Sequence, residues 1–391
     1  MIQAEEFILA AKQQGFGFYT GVPCSYLKPF INYVIDSSDL RYVGAANEGD
    51  AIAIASGAEL AGLRSVVMFQ NSGLGNAVNP LTSLTHTFKV PMLLIVTLRG
   101  EPGGEPDEPQ HELMGQITQS ILELLQIPWE YFPTESEQLP LVLERAVQFM
   151  ELHQRPYALV MRKNSVASYQ LTSPVVQRPL PTLSTASFEA QVAQFTRHKV
   201  LAAIQAAAQP QDVIVATTGY CGRELYAIAD QENHFYMIGS MGCASSFGLG
   251  IAIAQPQRRV IVIDGDGAAL MRLSALSTIG YERPPNLVHI LLDNQRHEST
   301  GGQATVSHSI NFCEIAAACG YAAIATATTP SALQEQLAIP SARLTFLYVP
   351  MQPGIPEKLP RPKVTPPEVA RRFRHFMQHE VSSSFPVLAV S

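Results

Sequence analysis

The chain alternates short runs rich in β-branched and aromatic residues with segments of helical composition, and it does so in both halves. The predicted strands lie at residues 16–23, 40–46, 65–71, 90–98 and 156–163, and then at 212–219, 234–242, 258–267, 286–294 and 343–351. Such alternation is typical of parallel sheets covered on both faces, because parallel strands need a crossover connection. The pattern predicts an α/β protein with two such sheets.

A stretch rich in Ser, Thr and Pro separates the two halves. It covers residues 166–190, and its composition is typical of a linker. The 391 residues of the chain are too many for one ordinary domain and suit two. We therefore expect a first domain over residues 1–165 and a second domain over residues 191–391, with the linker between them.

Composition excludes several classes of protein. The formal net charge of −7 argues against a broad nucleic-acid surface. The five cysteines are scattered without a CxxC pair, which favours neither a disulfide framework nor a zinc site and indicates a reducing cytoplasm. The first residues, MIQAEEFILAAKQQ, predict an amphipathic helix instead of a signal peptide, and no apolar run approaches the ~20 residues of a membrane span. We expect a cytoplasmic protein without nucleic-acid or membrane partners.

The stretch VIVIDGDGAAL (260–270) ends a predicted strand in two carboxylates separated by one glycine. Ligands of parallel α/β sheets bind at the carboxyl ends of strands, and a right-handed crossover brings the end of the next strand to the same edge. Asp266 and Asn294 can therefore meet. A carboxylate, an amide oxygen and a backbone carbonyl suit Mg²⁺ with phosphate oxygens. The alternative is a carboxylate that caps a helix, with Asn294 as a turn residue.

A dinucleotide site is the first competing interpretation. It needs a GxGxxG loop whose backbone amides approach the pyrophosphate directly. The loop after residue 263 has an acid at its centre, which would repel phosphate unless a metal intervened, and GSMGCASSFGLG (239–250) has glycines at the wrong spacing. The sequence therefore does not favour a dinucleotide site.

GDG followed by Asn294 resembles the motif of thiamine-diphosphate enzymes. The resemblance implies two cofactors, thiamine diphosphate and Mg²⁺. It implies that Asp266, the side-chain oxygen of Asn294 and the main-chain carbonyl of Arg296 bind the Mg²⁺, which holds the diphosphate. It also implies that the Gly239 carbonyl faces the cofactor's 4′-amino group and that Met241 is the apolar wedge that bends the two rings together. The other implied cofactor-binding residues are Thr218, Gly219, Gly267 and Ala268.

Thiamine-diphosphate enzymes also need an acid that hydrogen-bonds N1′ of the pyrimidine. In the family this acid follows a short strand and opens a helix, and Glu48 in YVGAANEGDAIAIASGAELAG has that place. The resemblance then implies a pyrimidine-binding domain first, a diphosphate-binding domain second and no middle domain. The alternative for Glu48 is a helix N-terminal acid that interacts with the helix dipole.

A narrower resemblance, to the phosphonopyruvate decarboxylase family, covers nearly the whole chain. It rests on residues 21–30, 70–84, 98–115, 217–225, 239–246 and 297–305, with EPQH and GGQ as the most specific motifs. It implies decarboxylation of phosphonopyruvate to phosphonoacetaldehyde and CO₂ in phosphonate biosynthesis. Relatives often carry Asp where Cys24 stands and His where Cys243 stands, so sulfopyruvate stays open as the substrate. Two different classes also stay open, a carboligase of the acetolactate synthase type and a scaffold without cofactor.

The same resemblance implies the remaining site residues. His111, in the loop after a predicted strand, is the candidate proton shuttle, because histidine titrates near neutral pH. A dianionic substrate needs hydrogen-bond donors and a cation. Its candidates are Ser25, Arg99, Gln110, Arg223 and Arg296. The two half-sites lie in different domains, and the family pairs one chain's first domain with another's second, so we expect a homodimer or homotetramer with active sites between subunits.

Overall fold

The computed structural model describes residues 1–174, 176–185, 195–340 and 342–379. It divides into two compact units, Met1–Gln177 and Arg178–Ser391, each built around its own parallel sheet. Within the described residues the chain holds these two units and no third. The predicted fold class, α/β with two helix-flanked parallel sheets and no middle domain, is confirmed.

The first unit has a six-stranded sheet in which all paired neighbours are parallel. The strand order is β2-β1-β3-β4-β6-β5. The strands are β1 Phe16–Gly21, β2 Arg41–Gly44, β3 Arg64–Gln70, β4 Leu93–Thr97, β5 Trp129–Tyr131 and β6 Tyr157–Met161. The central strands β3 and β4 are buried almost throughout, as expected for a sheet covered on both faces.

Helices of the first unit connect these strands. They are α1 Ala4–Gln13, α2 Lys28–Asp36, α3 Glu48–Leu60, α4 Leu74–Pro80, α5 His86–Phe88, α6 Glu112–Leu124 and α7 Leu139–His153. Helix α3 is buried on all sides, because its alanines, isoleucines and glycines leave it without a polar face beyond the first turn. Its first residue is therefore held firmly at the carboxyl edge of the sheet.

The second unit has a seven-stranded parallel sheet and a separate short antiparallel hairpin. The order in the sheet is β7-β14-β15-β11-β10-β8-β9. The strands are β7 Ser184–Thr185, β8 Val213–Ala216, β9 His234–Tyr236, β10 Val260–Gly265, β11 Leu287–Asp293, β14 Ala323–Thr326 and β15 Thr345–Pro350, and the hairpin pairs β12 Arg296–His297 with β13 Gln303–Ala304. Strands β10 and β11, which carry the predicted metal ligands at their ends, are direct neighbours.

Helices of the second unit are α8 Arg197–Ala207, α9 Tyr220–Ile228, α10 Ala244–Ala254, α11 Asp266–Met271, α12 Ala275–Glu282, α13 Phe312–Cys319, α14 Pro330–Ala338 and α15 Pro366–Gln378. Helix α10 resembles α3 in being buried on nearly every side. No helix in the described ranges combines the length and the apolar character that crossing a membrane requires.

All ten predicted strands are present, but the sequence analysis missed others. Strands β5 and β14 have three and four residues and are partly exposed, so neither shows a strong apolar run. Strand β7 and the hairpin have two residues per strand. Elements this short are defined by their pairing partners, which the local sequence does not reveal.

The predicted linker covers residues 166–190, and part of it is hydrogen-bonded to the first unit. Asn32 donates a hydrogen bond to the Tyr169 carbonyl at 3.0 Å, and Asp36 accepts bonds from the backbone amides of Thr172 and Ser173 at 2.9 and 2.7 Å. Residues 175 and 186–190 of this segment lie outside the described residues, as do 191–194, 341 and 380–391 of the predicted second domain.

The backbones of α12 and α13 approach each other closely, and this contact gives a test of the packing in the second unit. A methyl group at Gly280 in α12 would overlap the Cys319 carbonyl at the end of α13. We expect Gly280→Ala to lower the free energy of unfolding by about 1–3 kcal/mol, the usual cost of overpacking. Chemical denaturation measures this, with Gly354→Ala as the control, because that position has open space around it. Equal stability of the two variants would contradict the packing described.

Candidate active site

Glu48 is the first residue of α3. It lies three residues after Ala45, whose backbone amide donates a hydrogen bond to the Gly21 carbonyl at the end of β1. The helix is capped by Asn47, whose side chain accepts a hydrogen bond from the Gly49 amide at 2.8 Å. Asn47 is thus the capping residue, and Glu48 follows it as an acid in the first turn of the helix. The carboxylate of Glu48 is half-buried and available for another interaction.

The segment after β3 holds the Glu48 carboxylate in place. Asn76 in α4 donates a hydrogen bond from Nδ2 to Glu48 Oε2 at 2.8 Å. The carboxyl group also lies directly against Gly73, where a side chain would overlap it, whereas the nearby Gly75 has open space. A larger residue at position 73 would displace the Glu48 carboxyl group, so glycine is required there.

Asp107 organises the loop between β4 and α6. It accepts hydrogen bonds from Arg99 Nε at 2.6 Å and from Arg99 Nη2 at 2.5 Å, and from the amides of Gly100 and Glu108 at 3.1 and 2.8 Å. His111 Nδ1 lies 3.1 Å from the same carboxylate. The Arg99 guanidinium holds the pKa of Asp107 well below its usual range. One carboxylate thus joins both ends of the loop.

These contacts select one tautomer of His111. Because Asp107 is ionised it only accepts hydrogen bonds, so Nδ1 of the buried His111 carries a proton and donates, and Nε2 is the ring nitrogen that faces away from this carboxylate. Nε2 lies 3.3 Å from Nε2 of Gln70, whose Oε1 accepts a bond from Cys24 Sγ at 3.4 Å. His111 therefore belongs to a hydrogen-bonded network that includes the loop after β1.

Two predicted substrate residues lie in this network. Arg99 Nη1 is 3.4 Å from Ser25 Oγ, and the guanidinium stacks over the Tyr26 ring at 4.9 Å. Its ion pair with Asp107 compensates much of the Arg99 charge. Gln110 is exposed in the same turn as His111. The structure thus brings Ser25, Arg99 and His111 together.

Arg223, the predicted substrate residue on α9, belongs to the second unit. Its Nη2 donates to the Leu359 carbonyl at 2.8 Å, and its guanidinium lies over the Tyr220 ring at 5.5 Å. Its Nε is buried and has no hydrogen-bond partner among the described residues. Because this Nε is buried, an anion could reach it only if the Arg223 side chain moved.

Asp266 and Asn294 lie at one edge of the second sheet. Asp266 opens α11 immediately after β10, and Asn294 follows β11, which pairs with β10 in parallel register through Gly265 and Leu292. Both residues line the same cavity of about 70 Å³. The sequence prediction that the two side chains can meet agrees with this placement.

Most of the other predicted cofactor-binding residues line this cavity as well. They are Thr218, Gly219, Met241, Gly267, Ala268 and Arg296. Gly239 is not in its lining and lies two residues before Met241, half-buried. Gly219 has a φ of +91° at the start of α9, and a side chain at Gly267 would approach His297 Nδ1 to 2.7 Å. Glycine is needed at both positions by backbone conformation or close packing.

The Asp266 carboxyl group lies in an environment that suits a cation. Burial raises the pKa of Asp266 to about 6, and the neighbouring Asp293 adds to this rise, whereas a hydrogen bond from Thr305 lowers it. A divalent ion in the cavity would supply the missing positive charge.

The donor set fits Mg²⁺. It consists of the Asp266 carboxylate, the Asn294 amide oxygen and backbone carbonyls of the following turn, all oxygen atoms. Among the described residues there is no group of three His, Cys, Asp or Glu side chains that could hold a metal. This excludes a cluster of the zinc type in those residues and fits an ion that completes its shell with phosphate oxygens and water.

Two family models match the chain. The N-terminal TPP binding domain of thiamine pyrophosphate enzymes matches residues 2–121, and the C-terminal TPP binding domain matches residues 217–347. The first matched range includes Glu48, and the second includes Asp266 and Asn294. The fold and the site thus define a thiamine pyrophosphate (thiamine diphosphate) enzyme.

Comparison with curated proteins narrows this assignment. The chain is 42% identical to a phosphonopyruvate decarboxylase of Streptomyces viridochromogenes, over 96% of this chain and 95% of the relative. It is 40% identical to the phosphonopyruvate decarboxylase of Streptomyces hygroscopicus, with coverage of 96% and 94%. A sulfopyruvate decarboxylase of Methanosarcina acetivorans is 32% identical, with coverage of 95% and 96%. The chain belongs to the phosphonopyruvate decarboxylase family.

Solved structures show the same fold at low sequence identity. The benzoylformate decarboxylase of Polynucleobacter necessarius matches with a TM-score of 0.68 at 13% identity, over 91% of this chain and all of that one. The 4-hydroxybenzoylformate decarboxylase of Rhodococcus jostii RHA1 has the same TM-score and identity, over 92% of this chain and all of that one. At such identities the match concerns the fold alone.

Several residues with structural roles at the site were not identified from the sequence. They are Gln70, Gly73, Asn76, Asp107, Asp293, Thr305 and Ser307. For Asp107 the sequence contains a signal, because this acid stands four positions before the candidate proton shuttle His111 in DEPQH. The others act through contacts that the sequence spacing does not indicate.

Loss of the Asp107 charge is expected to loosen its loop. Asp107→Asn replaces a carboxylate acceptor by a neutral one, and hydrogen bonds to charged groups contribute about 1.5–3 kcal/mol, so amide exchange at Gly100 and Glu108 should accelerate by roughly ten-fold or more. Hydrogen exchange followed by NMR measures both amides. Glu105→Gln is the matched control, since Glu105 forms an exposed ion pair with Lys163. Unchanged exchange in Asp107→Asn would show that the carboxylate does not hold the loop.

Proposed function

We propose that the chain catalyses the decarboxylation of 3-phosphonopyruvate to 2-phosphonoacetaldehyde and CO₂, with thiamine diphosphate and Mg²⁺, as a step of phosphonate biosynthesis. The observation that carries this proposal is the identity with two phosphonopyruvate decarboxylases along almost the whole chain. The cavity at the ends of β10 and β11 supports it, because its oxygen ligands and glycine turns suit a metal-bound diphosphate.

The second unit supplies the groups that hold the cofactor. Asp266, the Asn294 side-chain oxygen and the Arg296 carbonyl would bind Mg²⁺. Thr218, Gly219, Gly267 and Ala268 would line the diphosphate, with Met241 supporting the bent rings and the Gly239 carbonyl accepting from the 4′-amino group. When bound, thiamine diphosphate supplies an electron sink for the electrons released as CO₂ leaves the 2-oxoacid.

The first unit supplies the acid–base groups. Glu48 would hydrogen-bond N1′ of the pyrimidine and exchange a proton with it, with Oε2 fixed by Asn76. His111 would carry a proton at Nε2, the ring atom that its Asp107 contact leaves available. A buried histidine with an ionised partner is well suited to hold one orientation during such a transfer.

The substrate's anionic group requires several donors. Ser25 and Arg99 Nη1 offer two adjacent donors, although Asp107 already engages the other side of the Arg99 guanidinium. Gln110 is exposed in the same turn as His111, and Arg223 on α9 is a further cation candidate. We propose these four residues as the anion-binding groups, with the substrate a small anionic 2-oxoacid.

The proposed assembly is a homodimer or homotetramer with active sites between subunits. Glu48 and Asp266 belong to different units, so a site can be completed by two chains. The five cysteines are free, which is consistent with the proposed cytoplasmic location.

A second candidate is decarboxylation of sulfopyruvate. The 32% identity with a sulfopyruvate decarboxylase over 95% of this chain favours this reaction over carboligation. Sulfonate and phosphonate are both tetrahedral and need similar donors but differ in charge, so the two activities have to be separated by measurement.

The substrate assignment predicts a clear order of activities. We expect aldehyde release from phosphonopyruvate to exceed release from pyruvate by at least about 100-fold in kcat/KM, because pyruvate would leave the anion donors unpaired. Release from phosphonopyruvate should also exceed release from sulfopyruvate, because the sulfonate carries less negative charge to pair with those donors. A coupled aldehyde assay with all three substrates and product analysis measures this. Sulfopyruvate as the best substrate would favour the second candidate, and acetolactate or acetoin products would favour a carboligase.

Glu48→Gln should slow turnover by roughly two orders of magnitude or more, because it removes proton exchange with N1′ while keeping side-chain volume. Exchange of the C2 proton of bound thiamine diphosphate, followed by quenched-flow NMR, should slow in parallel. Gly73→Ala, which displaces the Glu48 carboxyl group, should act in the same direction, and Gly75→Ala should not. Normal C2 exchange in folded Glu48→Gln would remove Glu48 from the mechanism.

The same variant tests the assembly. Glu48→Gln and Asp266→Ala are each expected to be inactive. If one site uses both chains, refolding an equal mixture should restore roughly a quarter of wild-type activity, since half of randomly paired dimers are mixed and each has one intact site. A mixture that stays inactive would contradict sites shared between subunits.

A further inference from the structure

The loop after Asn294 folds back to the start of α11. Strands β12 and β13 pair antiparallel, and the turn between them uses Gly301 and Gly302, with φ of +118° and +81°. Positive φ at both positions explains the paired glycines of the GGQ motif. The reversal places Thr305 beside Asp266, to which its Oγ1 donates a hydrogen bond at 2.5 Å.

A second hydroxyl extends this contact to the Asn294 turn. Thr305 Oγ1 lies 2.9 Å from Ser307 Oγ, which donates to Asp293 Oδ1 at 3.0 Å. The Asp293 carboxylate also accepts from the Gln295 amide and the Tyr348 hydroxyl, each at 2.9 Å. Asp293 therefore fixes the backbone immediately after Asn294, at the Gln295 amide.

Thr305 and Ser307 thus form a two-hydroxyl bridge between the carboxylates of Asp266 and Asp293. All four side chains are buried, with exposed fractions of 3–4%. Each hydroxyl has one proton to donate, and the distances assign one proton to each carboxylate. The two hydroxyls are two residues apart in one turn, in which the Ser307 amide also donates to Thr305 Oγ1, so this turn connects the end of β10 to the end of β11.

We propose that Thr305 and Ser307 are positioning residues for the Mg²⁺ site. Thr305 fixes the rotation of the Asp266 carboxylate, and Ser307 couples it to the turn that presents Asn294. Both metal ligands are then held at one separation before the ion enters, so binding does not have to order them. This inference rests on the Mg²⁺ site of the proposed function and assigns a role to the QAT part of the GGQAT segment.

A competing explanation is that Thr305 only caps the 3₁₀ turn at Val306–Ser309. Its Oγ1 accepts from the Ser307 amide, but at 3.4 Å, which is long beside the 2.5 Å contact with Asp266. A cap predicts lost stability with normal metal affinity, whereas the bridge predicts lost metal affinity.

Titration of the purified chain with Mg²⁺ at saturating thiamine diphosphate, by isothermal calorimetry, separates the two explanations. Thr305→Val keeps the shape and removes the hydroxyl, and the dissociation constant for Mg²⁺ should rise about 10- to 100-fold, as for other partners of metal ligands. Thr305→Ser restores the hydroxyl and should bind Mg²⁺ within about three-fold of wild type. Ser309→Ala is the control, because the Ser309 hydroxyl is exposed and donates to the Val306 carbonyl.

Ser307→Ala keeps the Thr305 hydroxyl and cuts the bridge at its other end, so it should weaken Mg²⁺ binding several-fold even if Thr305→Val fails to fold. Mg²⁺ affinity within two-fold of wild type in Ser307→Ala and in folded Thr305→Val, or an equal loss in Ser309→Ala, would overturn the proposal. Failure of the wild-type chain itself to bind Mg²⁺, or normal binding by Asp266→Ala, would instead overturn the metal site of the proposed function.

Discussion

The parallel register between β10 and β11 is the constraint on which the second half-site depends. Gly265 pairs with Leu292, so Asp266 and Asn294 leave the sheet side by side. The opposite end of this pair is fixed by Asn286, whose Nδ2 donates to the carbonyls of Ala252, Gln255 and Arg258 at 2.8–3.1 Å. A slip of one residue would move one of the two side chains by about 3.3 Å and turn it to the other face of the sheet, so the proposed metal geometry would be lost.

The two acids of DGDG have different environments although they are two residues apart. Asp264 is fully buried, accepts from the Gly265 amide at 3.0 Å, and lies 3.6 Å from His289 Nε2. His289 in turn contacts the Tyr321 hydroxyl at 3.0 Å. Asp266 instead faces the cavity. The change from strand to helix between the two acids explains this, because side chains two apart share a face only while the strand continues.

The sequence was sufficient for the features that depend on local pattern. Strand ends can be located from apolar runs, so Asp266, Asn294 and Glu48 could be assigned to the carboxyl edges of the sheets before the structure was known. Asp107 and Thr305 could not, because each reaches its partner through a loop whose path is set by glycines with positive φ, at Gly100 and at Gly301 and Gly302. Asn76 in α4 donates a hydrogen bond to Glu48 in α3, and these two helices contact each other only in the folded unit. Loop geometry and tertiary contact therefore limit what spacing alone can reveal.

The loop centred on Asp107 restricts how this enzyme can change its substrate. The same carboxylate neutralises Arg99, beside the proposed anion pocket, and orients His111. A substitution of Arg99 that admitted a different acid group would also leave Asp107 without its main cation and disturb the histidine. In the proposed site, substrate choice and proton transfer would thus be coupled. New specificity would arise more readily at Ser25 or Gln110, which are not among the hydrogen-bond partners of that carboxylate in the described residues.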